Sequence, residues 1–150
     1  MLIAHGAARY DDAGRLLQAH AAVLRRQQLF AEIAVGLLNG TPSAADALGS
    51  LTARVVHVVP FFMEQGWFVR EAIPRALGDA AAGGPAVGDA PVRGAPADDT
   101  PTRTLHYHPP IGLHPELASL AAARVQRACG PDAARFGVLL IGHGSARAPG

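Results

Sequence analysis

The chain has 150 residues, 49% of them hydrophobic and 17% charged, which fits one globular domain with a real core and excludes a disordered chain. All thirteen basic residues are arginine and they face twelve acidic ones, so a net charge of +1 offers no global basic field for nucleic acid. A single cysteine, Cys129, excludes an internal disulfide framework, and no apolar run approaches the ~18 residues of a membrane helix. Met1 leads straight into a strand pattern with no leader ahead of it, so a cytoplasmic protein without a membrane partner is expected.

Short continuous apolar runs predict strands buried on both faces at residues 2–4, 33–38, 55–62 and 138–141, with a more polar strand at 102–107. Between the first two, Asp11 and Asp12 can cap a helix whose apolar face carries Leu16, Leu17, Ala21 and Leu24. Thr41 ahead of Pro42 predicts the cap of a short helix that Gly49 can end. Pro74 begins or kinks a further helix, which should stop near Gly78. His114 and Pro115 open the last one, with Leu117, Leu120, Ala121 and Val125 on its apolar face and Cys129 at its end as a packing residue.

This alternation predicts an α/β fold, a parallel four-stranded sheet with helices on both faces in a flavodoxin-like winding. Ligands in such sheets sit beyond the carboxyl ends of the strands, where His5, the turn at 64–68 and the pair His106 and His108 should lie. Residues 78–101 are nearly all Ala, Gly, Pro and Asp and read as a flexible surface insertion, or as a lid.

Residues 2–9 recur nearly unchanged at 140–147, so that His5-Gly6 returns as His143-Gly144. Such self-similarity marks a structural unit. It divides the chain into a domain at 1–136 and the start of a second repeat at 137–150, including that repeat's first strand.

Imidazole both takes up protons and binds transition metals near neutral pH. His57 sits inside an apolar strand and is expected to be a core histidine bonded to backbone, whereas His20 and His114 have structural explanations on helices. His5 leaves a strand end with a glycine beside it, and a functional role is expected there. His106 and His108, two apart on one strand face, suit either a metal or an ordinary strand end. No nucleophile elbow, no lysine-bearing phosphate loop and no dinucleotide fingerprint occurs, so no organic cofactor is expected.

Four stretches taken together resemble the class II tetrapyrrole chelatases of the CbiX/SirB type, the sirohydrochlorin cobaltochelatases and ferrochelatases. They are the strand-end His5-Gly6 with its echo at His143, residues 58–63 running into Gly66, Ile73-Pro74, and residues 110–115 before the last helix. The resemblance implies insertion of a divalent metal (cobalt, iron or nickel, taken as substrate) into a sirohydrochlorin-like tetrapyrrole for cobalamin or siroheme. It implies His5 as base and metal ligand, with Gly6, Arg9, Trp67, Phe68 and Arg70 against the macrocycle. It also implies a partner, a second chelatase-like half in cis or as a dimer partner, beginning here at His143. The departure is Phe68, which stands where the family carries its second ligand histidine, with Ala72 in place of an aspartate. Three readings follow: a chelatase that recruits Glu64, Glu71 or His108 as the missing ligand, a supporting half whose catalytic pair lies in the second domain, or a non-catalytic tetrapyrrole- or metal-binding module.

Overall fold

The computed structural model describes residues 1–7, 12–78, 92–93 and 103–141. The chain divides into two compact units, Met1–His114 and Pro115–Gly150. In the first unit, strands β1 (Leu2–Ala4), β2 (Val35–Leu37), β3 (Val55–Pro60) and β5 (Thr104–Tyr107) run parallel in the order β2-β1-β3-β5. The expected four-stranded parallel sheet is therefore present. From β1 the chain moves to β2 on one side and then returns to β3 on the other, so the winding reverses between β1 and β3, where such sheets open a crevice.

Side chains alternate along a strand, and the two faces of β1 are covered differently. Leu2 and Ala4 pack with Val35 and Leu37 against Leu17 and Ala21 of helix α1 (Asp12–Gln27). Ile3 packs on the opposite face with Val56, Val58 and Leu105 against α2 (Ala44–Gly49) and α3 (Ile73–Ala76), through Ala44, Ala47 and Ile73. The buried stripe of α1 is Gly14, Leu17 and Ala21, with Leu24 partly buried. Leu16, expected in that stripe, lies one residue off its helical spacing and is 59% exposed.

The cap of α2 is Ser43, not Thr41. The Ser43 Oγ accepts the Asp46 N–H at 3.1 Å, while the Pro42 carbonyl is taken by the Leu37 N–H at 3.0 Å, which leaves residues 41 and 42 in the turn that returns from β2. At the other end of α2, the guanidinium of Arg103 donates to the carbonyls of Leu48, at 2.7 Å, and Leu51, tying the C-terminal end of the helix to the start of β5.

Ahead of α3 the backbone forms a π-turn, Phe68–Ala72, and Pro74 explains it. Proline has no N–H to bond four residues back and its ring crowds that carbonyl, so the helix widens and the Ile73 N–H reaches Phe68 O instead. The expected stop near Gly78 is met, with Gly78 at φ +82°.

Two further features differ from expectation. Val92 and Arg93, inside the Ala/Gly/Pro-rich stretch, form a two-residue strand, β4, antiparallel to β5; the remainder of 79–102 lies outside the described residues. Residues 138–141 form no strand: Leu139, Leu140 and Ile141 are 82%, 83% and 86% exposed, and none of the described strands pairs with them. A lone apolar run has no ladder to join, so its sequence pattern alone does not make it a strand. The second unit otherwise contains α4 (Glu116–Cys129), ended by Gly130 at φ +63°, and a 3₁₀ turn over Gly130–Arg135.

Candidate functional site

The ends of β1 and β2 are locked together beyond their ladder. The Leu38 N–H donates to Ala4 O at 3.0 Å and the Asn39 N–H to His5 O at 2.7 Å. Gly6 turns the chain away at φ +73°, and a Cβ there would lie 2.3 Å from Asn39 O. Only glycine fits both the left-handed backbone and the close approach, so the His-Gly pair has a steric cause. The result is an exposed His5 at the carboxyl edge of the sheet, next to the point where the winding reverses.

The His5 ring is fixed by two contacts. Its Nδ1 is 2.6 Å from Gly6 O, and a carbonyl only accepts, so Nδ1 carries the hydrogen. The lone pair is then on Nε2, where the Asn39 side-chain amide donates at 3.2 Å. With the Asn39 amide in this orientation, the hydrogen-bond pattern corresponds to the Nδ1–H tautomer, with the lone pair on Nε2.

The opposite wall is aromatic. Phe68, the first residue of the π-turn, meets His5 at 4.6 Å between ring centroids and an interplanar angle of 87°. Its ring also contacts Trp67 at 5.3 Å and Phe62 at 6.0 Å. Beside them, the Gly112 N–H donates to Phe62 O at 2.9 Å, and a Cβ at Gly112 would lie 2.2 Å from Met63 O. The backbone of the turn Ile111–Leu113 thus presses directly on the loop leaving β3. Met63, Trp67, Phe68 and Leu113 all remain partly exposed on these two loops, a set of large apolar side chains that water covers poorly.

The structure therefore brings His5, Gly6, Phe68 and Trp67 together and adds Asn39, which the sequence pattern does not single out, while Met63 and Leu113 are exposed on the two adjoining loops. Asn39 carries one signal, since it follows β2 at the same sheet edge as His5. Glu64 is exposed in the same loop, its Oε1 3.7 Å from where a Gly66 Cβ would stand, and Arg70 is exposed on the π-turn. Glu71 is paired to Arg75 at 2.9 Å. Arg9 and His143 lie outside the described residues.

His108 follows β5 as expected, but its ring is engaged by His57, with Nε2 2.8 Å from Nδ1. His57 is not the core histidine anticipated from its apolar neighbours. Alternation along β3 turns Val56 and Val58 into the core and leaves His57 exposed, with a side-chain partner instead of a backbone one. Desolvation, and then the neighbouring His108 and His106, hold its pKa below the usual imidazole range. Among the described residues no three or more His, Cys, Asp or Glu side chains are arranged to hold a metal ion, and no helix is long and apolar enough to cross a membrane. Two hollows of about 410 and 550 Å³ lie around Arg25, Glu32 and Ile33 on the way into β2; neither is lined by His5 or Phe68, and the convergence of functional groups outweighs them as a guide to chemistry.

Comparison with known proteins agrees with this fold. The family model described as CbiX matches residues 1–128. A probable sirohydrochlorin cobaltochelatase of Halobacterium salinarum is 28% identical over 98% of this chain, which spans about half (52%) of the length of that relative. A multi-domain protein of Deinococcus radiodurans, whose solved structure is described as similar to chelatases with two additional novel domains, superposes with a TM-score of 0.68. It is 27% identical and the match covers 84% of this chain and 28% of that one.

Proposed function

The chain belongs to the CbiX family, and from that premise we propose that it is a chelatase domain inserting a divalent metal, cobalt or iron, into a sirohydrochlorin-type tetrapyrrole. The product would serve cobalamin or siroheme formation. The observation that carries this reading is the exposed His5 at the sheet edge, its Nε2 beside the Asn39 amide and its ring against the aromatic Phe68.

Metal insertion removes two N–H protons from the ring as a dication enters, so the charge balances. A neutral imidazole serves either half of that exchange: Nε2 accepts one pyrrole proton or donates its lone pair to the arriving metal. Asn39 releases Nε2 by giving up one hydrogen bond, and with its amide turned over it offers Oδ1 as a second donor at the same place. Glu64 is the nearest-loop carboxylate for a further ligand, while His108 would first have to leave His57. The flat macrocycle would lie on Met63, Trp67, Phe68 and Leu113. Arg70 and Arg9 suit the carboxylates at its rim. The likeness of residues 140–147 to 2–9 supports a second chelatase-like half as partner, in cis or across a dimer.

A second reading has its own observation. Phe68 fills the space against His5 where another ligand would stand, which favours a half that binds tetrapyrrole or metal without turning it over. Incubation with sirohydrochlorin and Co²⁺, followed by absorbance, separates the two. Insertion that disappears in His5→Ala supports the chelatase; unchanged turnover in that variant overturns it; macrocycle binding without insertion supports the second reading.

A further inference from the structure

Strands β3 and β5 carry a second group of imidazoles outside the His5, Asn39 and Phe68 cluster. Their register sets His57 opposite His106, and His108 lies two residues beyond His106, so all three share one face. The His57 ring stacks on His106 at 5.0 Å and 21° and leans on His108 at 5.1 Å and 36°. His57 is exposed and the other two are half-buried. Among the described residues, the amino group of Met1 also acts on this group and donates to the His57 carbonyl at 2.7 Å.

The separation between His57 Nδ1 and His108 Nε2 is 2.8 Å, so one hydrogen is shared between them. Two nitrogens bound to one first-row metal at ~2.0–2.1 Å each stand roughly 2.9–3.4 Å apart. Nitrogens 2.8 Å apart between centroids 5.1 Å apart set the two lone pairs head to head, so a chelating edge requires the gap to widen by a few tenths of an ångström and both rings to turn toward a common centre. The bridging hydrogen moves, through water, to the other nitrogen of its own ring, and two neutral imidazoles bind without net proton release. As they stand the three rings do not converge on one centre. A turn of His106 in its stack would supply a third nitrogen, and water fills the other positions. An all-imidazole site with water ligands selects cobalt, nickel, zinc or copper over magnesium or calcium.

We propose that His57 and His108, with His106 beside them, form a second, exchangeable site for a divalent transition metal on the β3–β5 face. Binding there does not depend on the chelatase reading; only its use, holding cargo metal close to the enzyme that consumes it, rests on that reading.

The test is Co²⁺ titration of the whole chain at pH 7.5 without tetrapyrrole, read by calorimetry and visible cobalt absorption. His5→Ala should keep a Co²⁺ site, and adding His57→Gln and His108→Gln should weaken it at least tenfold, with unchanged circular dichroism showing that the fold survives. Loss of all binding in His5→Ala alone, or equal affinity after the three changes together, overturns the proposal. In the unmutated chain, substoichiometric Co²⁺ should broaden the ring proton signals of His57 and His108; broadening confined to His5 overturns it as well. Because no macrocycle is present, failure of metal insertion leaves these results standing.

Discussion

Phe68 sets its ring nearly perpendicular to that of His5, 4.6 Å between centroids, so an apolar ring stands against the imidazole proposed as base or metal ligand. Phenylalanine neither ligates nor moves a proton. It can hold an imidazole in place and keep water from one side of it.

Placing a nitrogen at that position should therefore build a ligand pair. Phe68→His is expected to tighten Co²⁺ binding at His5 by at least tenfold, measured by calorimetry in a His57→Gln background that removes the competing pair. Phe68 is 37% exposed, so the loss in stability should be about 1 kcal/mol. Unchanged affinity would show that position 68 does not address the His5 nitrogen.

Asn39 offers a finer test. Its amide donates to Nε2 at 3.2 Å, while Gly6 O holds the other ring nitrogen. Asn39→Asp replaces a competing donor with an anionic acceptor and should strengthen Co²⁺ binding. Asn39→Leu should leave the Nδ1–H tautomer intact, as read from ¹⁵N chemical shifts, and change stability by no more than about 1 kcal/mol.

Gly6→Ala should be severe. It places a Cβ 2.3 Å from Asn39 O and forces alanine to φ +73°. The expected cost is about 3 kcal/mol or more in chemical denaturation. Gly49 ends α2 in open space, with nothing within 4 Å of where its Cβ would stand, so Gly49→Ala should be neutral or stabilising and serves as the control.

Acid should loosen the approach to β2 through Glu32. Its carboxylate accepts the Thr52 hydroxyl at 2.7 Å, the Thr52 N–H at 3.0 Å and the Ala53 N–H at 2.8 Å. These bonds, the Thr52 hydroxyl first, hold its pKa below the usual glutamate range. The stabilisation is thus fully present above the ordinary carboxylate range and is lost as pH falls through the lowered value. Melting temperature followed from pH 6 to pH 3 should fall less steeply in Glu32→Gln than in the unmutated chain; identical slopes would show that Glu32 contributes nothing to acid sensitivity.

Most of the fold is legible in the sequence because continuous apolar runs and helix punctuation act locally. The parallel strands, the stop at Gly78 and the exposure of His5 beyond β1 follow from pattern and chain direction. His57 misleads because valines on both sides hide the alternation. Val59 and Phe61 are partly buried against the cluster that α1 forms with β1 and β2, while His57 stays exposed. The cap at Ser43 escapes a local reading because the turn out of β2 uses Pro42 O, a tertiary demand that no short motif announces. Asn39 enters the site through the register of neighbouring strands, which single-sequence periodicity does not encode.

The close backbone contact between Gly112 and Met63 has an evolutionary consequence. With no side chain between the two loops, neither can lengthen, shorten or tilt without dislodging its neighbour. The loop after β3 and the loop after β5 should accordingly be inherited as a pair. A chimera that borrows one from a relative will keep its shape only if it borrows the other too.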